Sequence, residues 1–295
     1  MAVKIKKSAG DKVADVLIYA LITVLALICV IPFIHVLAMS MSGNAAVYAN
    51  KVFLIPKNIN FNAYKTVIGD SAMMHSLWFT AFLTIAFTFF GMVVTIFAAY
   101  ALSRPQLKGR YLFSTVLLLT MYFSAGVIPE YLLMDNLNIL DTLWVLMLPG
   151  LFSAYNMIIL RTFIQNSIPD SLIEAAELDG CDEFKILFRI VLPLSKPVLA
   201  TLALFYAVGR WNSYGDALYY IQSEGLKPLQ LKLYQLVSSS ASASLSQEGG
   251  GGEAQSATEV VKAATIMFAT IPIIIVYPFV QKYFVSGVMI GAVKG

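Results

Sequence analysis

Residues 174–193 read EAAELDGCDEFKILFRIVLP, and they interrupt a chain that otherwise consists mostly of apolar runs of membrane-spanning length. The chain has 295 residues, of which 59% are hydrophobic and 13% are charged, and its mean hydropathy is +0.76. Soluble globular domains carry about 25% charged residues. The composition therefore argues against a soluble protein and predicts an all-α, polytopic membrane helical bundle.

Hydropathy predicts six transmembrane helices, with residues 1–13 as an amino-terminal segment and residues 14–295 as a single transmembrane domain. The first apolar run is much longer than the 7–15 residues, roughly, of a signal-peptide core, so it is expected to be a retained helix. The predicted spans lie at about residues 14–41, 77–102, 111–134, 142–164, 195–219 and 262–285.

Three connecting segments have distinct compositions. Residues 43–75 predict a small ordered external cap. Residues 165–193, called the 165–193 loop below, are polar and rich in helix-forming residues. The connection at about residues 220–261 is rich in Ser, Gly and Gln, and its low-complexity part, Ser238 to Ala257, predicts a flexible external spacer.

Lys and Arg are distributed unequally between the two faces of the predicted bundle. With the amino terminus inside, thirteen of them lie on the inner face, six lie on the outer face and Arg210 lies within a span. Cytoplasmic loops of membrane proteins carry an excess of Lys and Arg. Both termini and the 165–193 loop are therefore expected in the cytoplasm.

The sequence of the 165–193 loop predicts two short helices joined by a glycine turn. Ser171 and Glu174 have the spacing of a capping box at a helix start, Gly180 is suited to end that helix, and Asp182 can start the next one. Glu174 could serve as a cap, as a contact for a partner, or as both. The apolar residues of the loop could equally rest on the bundle.

The loop also carries a family pattern, E-A-A-x₃-G-x₉-I-x-L-P, which resembles the EAA loop of binding-protein-dependent ABC importer permeases. The matched residues are Glu174, Ala175, Ala176, Gly180, Ile190, Leu192 and Pro193. The resemblance covers nearly the whole chain. It includes YALSR at residues 100–104 and the carboxy-terminal GAVKG, and it is greatest to the shorter six-span half of maltose-type carbohydrate permeases.

This resemblance implies a role for the loop and a set of partners. In the family, the EAA loop forms coupling helices that seat in a cleft of a separate ATPase, and the carboxy terminus reaches toward the same interface. A second, non-identical permease, two ATP-binding subunits and an extracytoplasmic solute-binding protein are implied, in a bacterial cytoplasmic (inner) membrane with its lipid. The implied coupling residues are Glu174, Ala175, Ala176, Glu177, Asp179, Gly180, Lys294 and Gly295.

Motifs for chemistry are missing from the sequence. It has no G-x-x-x-x-G-K-[ST] phosphate loop and no spacing of Cys, His or carboxylates typical of a catalytic or metal site. The chain is therefore predicted to be a transport subunit without a cofactor of its own and without a nucleic-acid partner, with ATP and Mg bound by the partner ATPase. The alternative is a secondary transporter, which would favour an inverted repeat and intramembrane carboxylates. Asp216 alone supports it weakly.

Polar residues inside the predicted spans are candidates for a substrate pathway. Sugars stack on aromatic faces and form hydrogen bonds to amides and charged groups, so the set suits a carbohydrate path, and the resemblance to maltose-type permeases implies an oligosaccharide. An arginine facing the pathway would favour an acidic sugar. Two alternatives remain open: Arg210 could pair with Asp216, and Asn156 could bond between helices. The candidates are Tyr122, Asn156, Arg210, Trp211, Asn212, Tyr214 and Asp216.

Overall fold

The structure is a computed structural model that describes residues 9–246, 259–276 and 278. These residues form helices and connecting turns, with no strand among them, which confirms the predicted helical membrane bundle. The helices are α1 (Ala9–Ser40), α2 (Asn44–Tyr48), α3 (Asn62–Gly69), α4 (Ser71–Ser103), α5 (Arg110–Tyr122), α6 (Val127–Asn136), α7 (Leu143–Met147), α8 (Ala154–Ser167), α9 (Asp170–Leu178), α10 (Glu183–Ile186), α11 (Leu192–Leu194), α12 (Lys196–Asn212), α13 (Gly215–Tyr220), α14 (Leu229–Ser246) and α15 (Glu259–Val276). A π-helical segment (Leu187–Val191) joins α10 to α11, and a 3₁₀ turn (Glu224–Leu226) precedes α14.

Three of the described helices are long and apolar enough to cross a membrane: α1, α4 and α15. Two further pairs pass the same test but are sharply bent. α5 and α6 meet at 117°, and the helical stretch Glu183–Leu194 meets α12 at 84°. The count of six spans stays a prediction. The predicted fourth span, at about residues 142–164, is divided into α7 and α8, because Pro149 and Gly150 end the first of them.

The chain forms two compact units, of which the first contains residues up to Asp70 together with Leu236–Thr270. In it, the segment after α1 is tied to that helix by hydrogen bonds. Nδ1 of His35 lies 2.7 Å from the carbonyl oxygen of Phe53, and the Ser40 hydroxyl lies 2.7 Å from the hydroxyl of Tyr64. Residues 43–75, predicted as a small ordered external cap, contain α2, α3 and the first residues of α4, and their external position stays a prediction.

The second unit contains Ser71–Gln235 and the described residues from Ile271 onward. The 33-residue helix α4 is its centre, and α8 and α12 pack along it. Gly91 allows Tyr206 of α12 to pack closely against α4, because a Cβ atom at this position would lie 3.0 Å from the ring of Tyr206 and 3.1 Å from the carbonyl oxygen of Leu151. One buried cluster surrounds the carboxyl end of α4 and α9, and another surrounds Leu83, Phe87 and α7.

The flexible spacer predicted from Ser238 differs from the structure. Helix α14 continues through this serine- and alanine-rich stretch to Ser246. Its first turns are anchored by Leu229 and Leu231, which are buried, and no Gly or Pro occurs before Gly249 to stop the helix. Residues 247–257, which contain the glycine run, lie outside the described residues.

Candidate functional site

The 165–193 loop folds as the predicted pair of helices with a glycine turn. Gly180 has φ +76°, in the left-handed region that ends α9, and the amides of Gly180 and Cys181 donate to the carbonyl oxygens of Glu177 (3.0 Å) and Ala176 (2.9 Å). The Asp182 carboxylate caps α10 by accepting the Lys185 amide at 2.8 Å, and this bond lowers the pKa of Asp182. The turn therefore holds α9 and α10 next to each other.

The predicted capping box at Ser171 and Glu174 is wrong. Helix α9 begins at Asp170, and its N-cap, Pro169, is extended with ψ 136° and provides no side-chain cap. Proline fixes its own φ and lacks an amide, so the helix starts directly after it. Glu174 consequently lies in the second turn. Its exposed carboxylate forms no hydrogen bond or ion pair with the described part of the chain.

The two faces of α9 differ in burial. Ile173 and Ala176 are buried in the cluster beneath the loop, whereas Glu174 and Ala175 are exposed. Leu178 is 90% exposed, which is unusual for a leucine and was not among the predicted site residues. Of the two alanines among the implied coupling residues, only Ala175 is exposed, because the helical period turns Ala176 toward α4 and α8.

Glu177, a predicted coupling residue, is paired within the chain instead. Its carboxylate accepts a hydrogen bond from the guanidinium of Arg104, which follows the last residue of α4. Nη2 of Arg104, the atom that donates to Glu177, also donates to Glu183 on α10 at 3.2 Å. The hydroxyl of Tyr100 donates to Glu183 as well. Arg104 is 8% exposed. These four residues are called the Arg104 clamp below.

The remaining predicted coupling residues are placed as follows. Asp179 is the exposed C-cap of α9, where its amide donates to the carbonyl oxygen of Ala175 at 3.0 Å. Lys294 and Gly295 lie outside the described residues.

A cavity of about 700 Å³ lies between α4, the break after α7, α8 and α12. It brings together three of the predicted pathway residues, Asn156, Arg210 and Asp216. Asn156 is 5% exposed, and its side-chain amide forms no hydrogen bond with the described residues. This amide is therefore available to a molecule in the cavity.

Arg210 is neutralised by its neighbours. Its Nη1 atom lies 2.5 Å from Oδ2 of Asp216 and 3.0 Å from the carbonyl oxygen of Leu146, and the guanidinium sits 5.7 Å from the ring centre of Phe87. Ser213 donates a further hydrogen bond to Asp216 at 2.8 Å. The pairing of Arg210 with Asp216 that the sequence left open is therefore the observed arrangement.

The other predicted pathway residues do not line this cavity. Trp211 lines a separate apolar cavity between α4, α12 and the end of α15. Asn212 donates to the carbonyl oxygen of Val208 on its own helix at 2.9 Å, and Tyr214 stacks on Tyr234 with ring centres 4.9 Å apart. Tyr122, at the end of α5, is 81% exposed.

Tyr206, a polar residue of the predicted fifth span, also lines the cavity. Its hydroxyl lies 2.7 Å from the Thr95 hydroxyl and accepts the Ser153 amide at 3.1 Å. The Ser153 side chain in turn caps α8 by accepting the Asn156 amide at 3.2 Å. Pro149-Gly150, inside a predicted span, was the available signal that a break and polar groups would lie here.

A clasp outside the predicted spans joins two connecting segments. The Asp141 carboxylate accepts hydrogen bonds from the amides of Gln222 (2.9 Å) and Ser223 (2.8 Å) and from the Ser223 hydroxyl (2.5 Å). The Ser223 hydroxyl and then these amides lower the pKa of Asp141. Asp141 itself has φ +54°.

Comparison with known proteins identifies the family. Residues 108–290 match the family described as the binding-protein-dependent transport system inner membrane component. The chain belongs to this family. It is 42% identical over 287 residues to the polygalacturonan/rhamnogalacturonan transport system permease protein YtcP of Bacillus subtilis (strain 168), covering 97% of this chain and 99% of that protein.

Two further relatives agree with this assignment. Protein LplC of Bacillus subtilis (strain 168) is 40% identical over 272 residues, covering 91% of this chain and 90% of LplC. A solved chain of a bacterial ABC transporter involved in the import of the acidic polysaccharide alginate is 35% identical, with a TM-score of 0.84, over 95% of this chain and all of that chain (100%). The protein is thus an ABC importer permease, a transport subunit rather than an enzyme.

The Asp141 clasp of the permease predicts a pH dependence. Because the pKa of Asp141 is lowered in the fold, its ionised form stabilises the fold above the ordinary value of about 3.9, and this contribution is lost as the pH falls through the lowered value. We expect the melting temperature of the purified permease complex to exceed that of Asp141→Asn at neutral pH. The difference should persist to about pH 4 and shrink below it.

Asp135→Asn is the matched control for this measurement, since the exposed Asp135 side chain forms no hydrogen bond with the described residues. It should melt like the wild type across the range. A melting difference for Asp141→Asn that vanishes already at neutral pH would contradict the clasp.

Removal of one charge from the Arg210 pair should destabilise the permease strongly. Arg210 and Asp216 have side-chain exposures of 4% and 20%, and a buried charge left without its partner costs about 3 kcal/mol. We expect Asp216→Asn to lower thermal stability by that amount, and Arg210→Gln/Asp216→Asn to recover most of it. Both are measured by thermal unfolding of the purified complex.

Glu224→Gln serves as the control for the Arg210 pair. Glu224 forms ion pairs with Lys227 and Lys232, but its side chain is 68% exposed, so its loss should leave stability almost unchanged. Equal melting of Asp216→Asn and the wild type would show that Arg210 does not depend on Asp216.

Proposed function

We propose that this permease forms half of the translocation pathway of an ATP-driven oligosaccharide importer and is coupled to a separate ATPase through the 165–193 loop. The observation that carries the proposal is the outer face of α9. Glu174, Ala175 and Leu178 are exposed there, and Glu174 has no partner among the described residues, while Ile173 and Ala176 anchor the other face. An exposed leucine beside free polar groups on an anchored helix is suited to a docking surface.

The charge distribution supports a cytoplasmic position for this surface. The face that contains the 165–193 loop carries thirteen Lys and Arg residues, against six on the other face. The cytoplasm is where ATP is available. The chain has no phosphate loop, so the partner would bind ATP and Mg.

The partners follow from the same proposal. This chain supplies one set of spans, so a second, non-identical permease would complete the pathway, with two ATP-binding subunits beneath and an extracytoplasmic solute-binding protein above. ATP binding would draw the two coupling loops together and turn the bundle from an inward-facing to an outward-facing state. The binding protein would then release its sugar into the cavity, and both termini would remain cytoplasmic.

An acidic oligosaccharide is the proposed substrate class. One relative is named for polygalacturonan and rhamnogalacturonan, and the solved transporter imports the acidic polysaccharide alginate. In this chain, the cavity contains the side-chain amide of Asn156, which forms no hydrogen bond with the described residues, while Arg210 is already paired with Asp216. This half therefore supplies hydrogen bonds to the sugar, and recognition of its carboxylates would fall mainly to the other permease and the binding protein.

The same pairing weighs against a secondary transporter. A carboxylate that carries a coupling proton or sodium ion has to be free to exchange it. Asp216, the carboxylate that supported that alternative, is held by both Arg210 and Ser213.

Coupling is tested by co-purifying the chain with its neighbouring gene products and measuring ATPase activity in vesicles. Glu174→Lys reverses the exposed charge, and Gly180→Pro prevents the positive φ of the turn. We expect the transport-linked ATPase activity to fall about tenfold in each variant, within the usual range of coupling free energies.

Lys57→Gln is the control for coupling, because Lys57 is exposed and lies on the predicted opposite face. It should leave ATPase activity unchanged. The proposal fails if no ATPase subunit co-purifies, or if coupling survives both Glu174→Lys and Gly180→Pro.

The substrate is tested by uptake of acidic and neutral oligosaccharides of equal length into vesicles that contain the complete complex and its binding protein. We expect uptake of the acidic sugar, and a decrease of about fivefold in kcat/KM for Asn156→Leu, the value of one lost hydrogen bond. Asn212→Leu is the matched control, because that amide bonds its own helix. Uptake of the neutral sugar alone would overturn the acidic class.

A further inference from the structure

The Arg104 clamp joins three helices at one side chain. Glu177 precedes the glycine turn and Glu183 follows it, so one guanidinium bonds both α9 and α10. Arg104 itself follows α4 directly. No other described side chain of the 165–193 loop forms an ion pair outside the loop.

Arginine suits this position better than lysine would. Its planar guanidinium presents several donors in a rigid fork, so it can hold two carboxylates in fixed directions. Without that charge, Glu177 and Glu183 would be two neighbouring anions and would repel each other. The guanidinium also lies 6.0 Å from the ring centre of Tyr100, whose hydroxyl donates to Glu183 from the preceding turn of α4.

The loop packs against the end of α4 through apolar contacts as well as through the clamp. Ile173, Ile186 and Leu187 are buried in the cluster there, and the Phe97 ring of α4 lies 6.4 Å from that of Phe184 and 6.5 Å from that of Phe188. Burial of apolar surface is non-directional, whereas hydrogen-bonded charge pairs have defined directions and resist sliding of one helix past another. The clamp therefore adds directional bonds that oppose sliding of the loop on α4.

We propose that Arg104 is a positioning residue for energy coupling, which makes α4 follow any displacement of α9 and α10. This inference rests on the proposed function, since it takes the loop as the ATPase contact. Because Arg104 is buried, the proposal requires no contact between its side chain and the ATPase or the sugar. It acts through Glu177 and Glu183.

The test is the ratio of sugar transported to ATP hydrolysed, measured in vesicles on complexes isolated through a tag on the ATPase, so that only assembled complexes are counted. We expect Arg104→Gln to lower this ratio about tenfold, because the apolar contacts that remain do not stop the loop from sliding on α4. Arg104→Lys should lower it too, since an ammonium cannot hold both carboxylates. The exchange Arg104→Glu/Glu177→Arg restores a cation between two carboxylates and should recover much of the ratio.

Lys108→Gln is the matched control. It removes an exposed charge from the segment that follows α4, where the Lys108 side chain forms no ion pair with the described residues. Its ratio should equal that of the wild type. An equal fall in Lys108→Gln would overturn the proposal, because any change of charge near the end of α4 would then uncouple the complex.

A purely structural role gives a different result. It would lower the amount of assembled complex and leave the ratio in the remaining complex unchanged, which overturns the proposal. Where Arg104→Gln does not assemble, Glu177→Gln/Glu183→Gln removes the two carboxylates instead, and an unchanged ratio in that variant overturns the proposal equally. If the wild-type complex neither binds an ATPase nor transports sugar, the proposed function has failed rather than the clamp.

Discussion

Backbone hydrogen bonding in an apolar medium is the constraint on which the rest of this structure depends. A membrane interior offers no water to the amides and carbonyl groups at a helix end, so each break in a helix needs partners from elsewhere in the protein. The break between α7 and α8 obtains them from α12. Arg210 donates to the carbonyl oxygen of Leu146, and Tyr206 accepts the amide of Ser153.

This constraint explains why the polar cavity lies where it does. Arg210 is buried where it donates to this carbonyl group, so its charge needs a counter-ion. Asp216 supplies that charge, and Ser213 donates a hydrogen bond to Asp216. Tyr206 can reach the break because Gly91 on α4 leaves room for its ring. Arg210 and Asp216, which were predicted to form a substrate site, therefore bond the break between α7 and α8. Asn156 is the predicted cavity residue whose side-chain amide forms no hydrogen bond with the described residues.

Long apolar helices were predictable from the sequence. The breaks within them, and the direction in which individual side chains face, were not. Helix α4 is one run of 33 residues, and the span predicted at about residues 77–102 matches its carboxyl end but starts six residues after its first residue, Ser71. The turn at Gly180 was predictable because a left-handed residue favours glycine. The divided fourth span was missed, since average hydropathy does not register one Pro-Gly pair within an apolar stretch.

The 165–193 loop illustrates the same limit at the level of single residues. Its pattern gave the two helices and their glycine turn, but not which side chains face outward. Packing of Ile173 and Ala176 into the cluster beneath the loop determines the buried face of α9, and the helical period then leaves Glu174 and Leu178 exposed. Glu177 could be recognised as an internal partner only when Arg104, 73 residues earlier, was seen beside it.

Helix α4 links the two polar regions of the permease. It carries Phe87 beneath Arg210 at the cavity and leads directly into Arg104 at the loop, so the two lie about 25 Å apart along the helix axis at a rise of about 1.5 Å per residue. The helix has no proline and no break between them, and α8 and α12 pack along its length. A helix of this kind moves as one body, because bending it would stretch backbone hydrogen bonds that have no water to replace them. A displacement that the clamp passes to α4 is therefore expected to reach the Phe87 end, where α4 contacts the residues of α12 that bond the break between α7 and α8.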